Sequence, residues 1–230
     1  MIENYNDFCN CLIKAGFSLG GGNNEGVFSL LEYSWDNTPP DYPINWHTGD
    51  IDCDPWEWRM RILEERNDIV YSKVFFSKSG YITKEWYPYF LAVRRENSNF
   101  YEEYDSGNIS NYAKRIYELI EENKVLPLHA IKKLGGFTKE DKSKFDRALV
   151  ELQMKLYITM CGSQQKISSI GEEYGWSSTV FCTVEHFWDS EVFEKAKQIS
   201  KEEAIEKITK QIYLLNSEAN EKKIKKFICG

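Results

Sequence analysis

Asp50, Asp52, Asp54 and Glu57 place four carboxylates in one short stretch. His47 stands just ahead of them, and Trp46, Trp56, Trp58, Arg59 and Arg61 are interleaved. Alternate carboxylates can ligate Mg²⁺ or Ca²⁺. A carboxylate beside aromatic rings can also act as acid or base in hydrolysis of a glycosidic bond. An EF-hand loop counted from Asp50 needs Gly at its sixth position and Glu at its twelfth, where the chain has Pro55 and Arg61, so that metal reading fails. A structural reading stands beside the catalytic one. Asp54 suits a helix N-cap, Pro55 the first helical position, and Glu57 the reciprocal position of a capping box. Asp50 and Asp52 are then solvated turn residues. Trp46, Trp56, Trp58 and Trp86, with Arg59 and Arg61, are the candidate lining of a pocket whose rings would stack on an extruded or unpaired base. The same rings bury large areas when they sit in a core.

A second set of residues is basic. The chain has a net charge of −7, but residues 1–109 hold 9 basic and 18 acidic side chains, whereas residues 110–170 hold 11 basic and 7 acidic. Residues 171–230 are again acidic in balance, with 9 basic against 11 acidic. This distribution rules out indiscriminate coating of nucleic acid but leaves one segment able to meet phosphates. Lys132, Lys133, Lys139, Ser143, Lys144 and Arg147, together with Gln164, Gln165 and Lys166, are the candidate contacts, with double-stranded DNA the expected partner. The alternative is a solvated basic face on a module used for protein packing. Val150 and Met154 on the outer face of the same helix favour that alternative, or a covering by another part of the chain.

The elements that position these residues follow from periodicity and caps. Apolar residues at Phe8, Cys11, Leu12 and Ala15 predict a helix over Tyr5–Ala15. The run from Gly20 to Asn24 reads as a loop, residues 27–33 as extended, and the three prolines at 39, 40 and 43 as irregular. Helices are expected from Asp54 to Arg66 and from Thr83 to Arg94, with a strand over residues 70–76 and a turn at Ser79-Gly80 between them. From Ser110 the pattern is clearest. Ser110 caps a helix whose buried face is Ala113, Ile116, Tyr117 and Ile120. Pro127 opens a short second helix that Gly135-Gly136 stops. Thr138 is expected to cap a third helix, in which Phe145, Leu149, Leu152 and Leu156 fall on one stripe. Strands over residues 156–161 and 166–170 would then flank a turn at Gly162 to Gln165. Three helices followed by a hairpin is the winged-helix order, an elaborated helix-turn-helix that sets its third helix in the major groove. A strand at residues 179–183, a helix capped by Ser200 and a last helix over 218–227 complete the reading.

The fold expected is therefore α+β. A mixed, aromatic-rich region spans 1–109, a central winged helix 110–170, and a C-terminal strand and helical extension 171–230. Hydrophobic residues at 42% and aromatics at 15% suffice for a sizeable core. No apolar run spans a bilayer and the N-terminus lacks a signal-peptide pattern, so the expectation is a cytoplasmic protein without membrane contact. The six cysteines form no Cys-x-x-Cys pair, and His47, His129 and His186 stand apart. Neither metal site nor cofactor is expected. Gly20-Gly21-Gly22 lacks the Gly-Lys-Ser/Thr ending of a phosphate loop. The oligomeric state stays open.

Several stretches resemble a known family: Trp46-His47-Thr48-Gly49-Asp50, Asp54 to Arg59, Glu85-Trp86-Tyr87-Pro88-Tyr89-Phe90-Leu91-Ala92, Gly135-Gly136-Phe137-Thr138, and Phe145 to Gln153. They look like the bacterial AlkZ-related proteins, which are similar to the AlkZ/YcaQ family of winged-helix DNA glycosylases. The likeness to the AlkZ-related group covers most of the chain, and that to the glycosylases mainly the winged-helix part. It implies DNA binding, a place in DNA repair and glycosylase-type hydrolysis. That family uses a Gln-x-Gln type motif in an early winged helix. Here no glutamine precedes Gln153, and the nearest approach is Gln164-Gln165. The resemblance therefore carries no catalytic residue onto this chain.

Overall fold

A computed structural model describes residues 2–167 and 171–230. In chain order the elements are α1 (Tyr5–Ala15), β1 (Phe17–Leu19), α2 (Pro55–Glu65), β2 (Ile69–Phe75), β3 (Lys78–Thr83), α3 (Tyr87–Arg94), α4 (Phe100–Asp105), α5 (Asn111–Asn123), β4 (Val125–Pro127), α6 (Leu128–Leu134), α7 (Lys142–Met154), β5 (Ile158–Ile167), β6 (Glu173–Thr183), α8 (Val184–Phe187), α9 (Ser190–Lys197), α10 (Lys201–Leu215) and α11 (Glu221–Cys229). The α+β class expected from the sequence is present, with two small antiparallel sheets among the described residues. The chain divides into two units: residues 1–97 with 191–230, and residues 98–190.

The discontinuous unit is built on a sheet of order β1-β3-β2. Asn4 caps α1 by accepting from the Asp7 amide, and Gly16 ends it at φ 91. A Cβ at Gly16 would lie 2.1 Å from the Trp86 ring, so both the dihedral and the space demand glycine. β1 has no alternation because all three of its residues are buried, which is why the sequence hides it. Residues 27–33 form no strand. They are held by bonds such as that from the Leu19 amide to the Phe28 carbonyl. The hairpin turn lies at Phe76-Ser77, not at Ser79-Gly80. Phe75 pairs with Lys78, and both turn residues have positive φ, at 53 and 60. Non-glycine residues at such angles give no turn signal in a sequence. Thr83 does not cap α3, which starts only at Tyr87.

Arg94 joins the two chain segments of this unit. Its Nε donates to Ile228 O at 2.9 Å, and its guanidinium also donates to Phe227 O at 2.8 Å and Val74 O at 2.7 Å. It thereby satisfies carbonyls at the end of α11 and of β2. Phe227 lies fully buried and stacks on Phe75 at 3.9 Å, so α11 contributes to the same core. Burial pushes the Arg94 guanidinium down to about 10.

The continuous unit runs α4–α5–β4–α6–α7–β5–β6–α8, with sheet order β4-β6-β5. α4 is a helix that the polar composition of residues 96–108 conceals. Asn99 caps it, and Glu102 closes a capping box. Ser110 caps α5 by accepting from the Ala113 amide, and Ala113, Ile116, Tyr117 and Ile120 are buried as the spacing requires. Phe145, Leu149, Leu152 and Leu156 are likewise buried. Each fully buried apolar side chain of this size contributes about 1.5–3 kcal/mol. Phe100 stacks on Tyr117 at 3.7 Å, which ties α4 to this core.

Two expectations fail here. α7 begins at Lys142, not just after Thr138, because Asp141 rather than Thr138 occupies the N-cap position. The Thr138 hydroxyl and amide instead donate to the Asp141 carboxylate. The residues read as a turn, Gly162 to Gln165, lie inside β5. Gly162 pairs with Val180 and Gln164 with Ser178, and the partner strand is β6. The strand read over residues 166–170 ends, within the described residues, at Ile167 of β5, and residues 168–170 lie outside them. Cross-strand pairing with β6 overrode the local turn composition. The short strand at residues 179–183 is the end of β6.

No helix of the described residues is long and apolar enough to cross a membrane.

Candidate nucleic-acid interface

α6 and α7 meet across the connection 135–141. Gly135 ends α6, and a Cβ there would come within 2.3 Å of the Phe137 ring, while Gly136 has φ 62. Arg115 from α5 donates to Gly135 O at 2.6 Å and stacks 4.5 Å over Phe137. The Asp141 carboxylate anchors the far end. It accepts from the Tyr112 hydroxyl at 2.6 Å, the Thr138 amide at 2.8 Å and the Thr138 hydroxyl at 3.0 Å. The Tyr112 bond first, then those from Thr138, hold this carboxyl down at about 2.

The connection so fixed walls a cleft of about 440 Å³, lined by Lys132, Phe137, Thr138, Lys139, Lys142 and Phe145. The Lys132 ammonium sits 5.0 Å over the Phe145 ring. Lys139 and Lys142 are exposed. Among the described residues none of the three pairs with a carboxylate; two ion pairs of this unit, Lys114–Glu118 and Lys155–Glu103, take their lysines from α5 and from beyond α7. Lys133 and Lys144 are also exposed near this cleft in sequence, and Lys144 lies 5.6 Å over Tyr112. Ser143 is exposed, and Arg147 folds back so that its Nε donates to Ser143 O. Gln164 is exposed, and Gln165 and Lys166 are half-buried on the hairpin. The structure thus gathers Lys132 and Lys139 of the sequence set around one cleft and puts the glutamines and Lys166 on a different element. Sequence reasoning missed Lys142, which on a helical wheel flanks the buried Phe145 stripe rather than the outer face. It also missed Trp176, which is 93% exposed on β6. Val150 and Met154 are half-buried.

The acidic and aromatic segment lies in the other unit. Asp54 is fully buried and structural in its bonding. Its Oδ2 accepts from the Thr48 amide at 2.8 Å and the Gly49 amide at 3.0 Å, and its Oδ1 accepts from the Trp56 amide at 2.8 Å. The cap on α2 forms, but the Asp54 amide donates to Asp50 O, so the reciprocal bond from Glu57 is not part of the arrangement. Glu57 is half-buried. Asp50 and Asp52 are exposed, and Asp50 accepts from the Asp52 amide in a tight turn. Trp58 is core. It stacks on Phe8 at 5.5 Å and donates to Ile51 O. Trp86 is buried against Phe17, and Arg61 lies over the Tyr5 ring with Glu65 as ion-pair partner. Trp46 is half-buried, and its ring fills the space beside Gly21.

Trp56 and Arg59 remain at the surface, the guanidinium 3.5 Å over the ring, with His47 at 4.8 Å and the exposed Trp35 beyond His47 at 6.2 Å. Trp35 was not among the sequence candidates. It borders a separate cleft of about 370 Å³ walled by Gly20, Gly21, Gly22, Glu25, Tyr71 and Lys78. None of the six residues expected to line a pocket borders that cleft. No group of three or more His, Cys, Asp or Glu side chains among the described residues is placed to hold a metal ion.

A family model described as AlkZ related matches residues 2–229. The chain belongs to the AlkZ-related family. The match spans both units of this AlkZ-related protein. No curated protein and no solved structure matches this AlkZ-related chain.

Proposed function

We propose that residues 98–190 form a winged helix that holds double-stranded DNA against the α6–α7 cleft, and that this AlkZ-related protein works in DNA repair. The observation that carries the reading is the cluster of Lys132, Lys139 and Lys142 around that cleft without a carboxylate partner. In a chain of net charge −7, unpaired cations gathered at one concave site suit an external anion, and the phosphate backbone supplies one at regular spacing. Support also comes from the order helix, strand, helix, helix, hairpin, and from family membership. Phosphate contacts position a duplex and do not read its sequence. Binding is therefore expected to tolerate changes of sequence.

The test is fluorescence anisotropy of a labelled duplex with the triple variant Lys132→Glu, Lys139→Glu, Lys142→Glu. Affinity is expected to fall at least about tenfold, and the dependence of log affinity on log salt to flatten by about two to three units. Equal affinity and an equal salt slope would remove the cleft from binding. A second reading, a protein-interaction module, is favoured by Trp176, Tyr174 and Ile167, all exposed on the hairpin. Absence of any binding by the wild type at low salt and micromolar protein decides for it.

Within the repair reading, excision of a damaged base falls to the exposed carboxylates of Asp50 and Asp52, since Asp54 is committed to three amides. Release of free base from alkylated or crosslinked duplex is expected from the wild type and is expected to drop in Asp50→Asn, Asp52→Asn. Undiminished release by the double variant rejects these two residues.

A further inference from the structure

β5 and β6 carry one cysteine each, and their register brings the two together. Thr159 pairs with Cys182, Met160 with Phe181, and Gly162 with Val180. Cys161 is therefore the extra residue of a bulge, opposed by no residue of β6. In a regular ladder, residues diagonal to each other, as Cys161 and Cys182 would be, lie about 7–8 Å apart, too far for a sulfur–sulfur bond. Here the ladder is interrupted at the bulge, and the two thiols interact side chain to side chain. Cys161 is half-buried, whereas Cys182 is buried in the sheet, where it also pairs with Val125 of β4. Both are free thiols.

We propose that Cys161 and Cys182 are a redox modification site, at which a hydroperoxide converts the two thiols into a cross-strand disulfide. The accessible sulfur reacts first. The Cys161 thiolate attacks a peroxide oxygen, the O–O bond breaks, and the leaving oxygen takes a proton. For hydrogen peroxide this yields Cys161 sulfenic acid and water. The Cys182 sulfur then attacks the sulfenic sulfur. The S–S bond forms, the S–O bond breaks, and hydroxide leaves with the Cys182 proton as a second water. Two thiols are oxidised by two electrons, and one peroxide is reduced. The local chemistry is arranged for this order. The bond with Cys182 lowers the Cys161 thiol, which favours its thiolate, and the same bond together with burial raises the Cys182 thiol. The sulfur that solvent reaches is thus the nucleophile, and the buried one the resolving thiol. The product would tie β5 to β6, the middle strand of the sheet.

The experiment treats the full chain with hydrogen peroxide, with a thiol peptide in the same tube to report that the oxidant is active. The expected result is a loss of two hydrogens in intact mass and a loss of alkylation at Cys161 and Cys182. Peptide mapping then finds residues 161 and 182 covalently joined, and dithiothreitol reverses the change. Cys161→Ser, checked for folding by circular dichroism, is expected to give no such link and to leave Cys182 open to alkylation after unfolding. The proposal is overturned if Cys161 halts at sulfinic acid with Cys182 still free, if the link joins other cysteines, or if neither thiol reacts while the reporter peptide is oxidised.

Discussion

The two units differ in where their ion pairs fall. In the discontinuous unit, several cations meet carboxylates distant in the chain or on the next turn. Lys78 and Lys223 share Glu25, at 2.5 and 2.9 Å, Arg61 pairs with Glu65, Arg66 with Asp68, and Lys201 with Glu96. In the continuous unit Lys114 pairs with Glu118 and Lys155 with Glu103, but among the described residues the lysines of α6 and the start of α7 have no such partner, and the Asp141 carboxylate is satisfied by hydroxyl and amide donors. Pairing uses charges of the first unit to join distant parts of the chain. Unpaired cations are what the proposed contact with phosphates would use in the second. A net charge summed over the whole chain hides both facts.

Removing Arg94 should break the comparison most severely, because it strikes only one unit. Arg94→Leu strips donors from three carbonyls, on β2 and α11, and should cost about 3–5 kcal/mol. Hydrogen exchange followed peptide by peptide should show faster exchange in residues 69–97 and 221–230, with residues 98–190 unchanged. Equal loosening of both units would mean that they do not unfold separately. A smaller effect is expected from the triple lysine reversal described above. Its stability in urea should stay within about 1 kcal/mol of wild type, because Lys139 and Lys142 are exposed and unpaired and Lys132 gives up only its place over the Phe145 ring. A large loss would show that the cleft is structural after all.

The smallest effect is the acid response at Glu25. Hydrogen bonds from Lys78 and then Lys223 hold its carboxyl at about 2, below the ordinary 4.5. Between those values the unfolded chain binds the extra proton, so stability rises with pH across this window. The contribution is present above 4.5 and lost as pH falls toward 2. Thermal melts of Glu25→Gln should show a shallower fall over that range than the wild type, and the difference should shrink in high salt, which screens exposed pairs. Parallel profiles for the two proteins would remove Glu25 from the acid response.

What the sequence by itself determined was local. Asn4, Ser110 and Ser200 cap helices where the following residues leave amides unpaired, and the 3.6-residue spacing of Ala113, Ile116, Tyr117 and Ile120 fixes a buried face; both are interactions within a few residues of each other. The short strands were decided otherwise. β1 and β4, of three residues each, exist because β3 and β6 offer them a ladder. β5 continues through Gly162 and Gln164 because β6 lies opposite. The sites followed the same division. Lysines near a helix-turn-helix pattern were legible one by one, but their gathering around a cleft depends on where α7 starts. The residue just before that start, Asp141, is held by Tyr112 from 29 residues away. Trp58 shares the buried face of α2 with Ile62 and packs on Phe8, whereas Trp56, two positions earlier, lies on another face and stays exposed. Spacing along the chain cannot encode a contact whose partner comes from another element, and most of both candidate sites is made of such contacts.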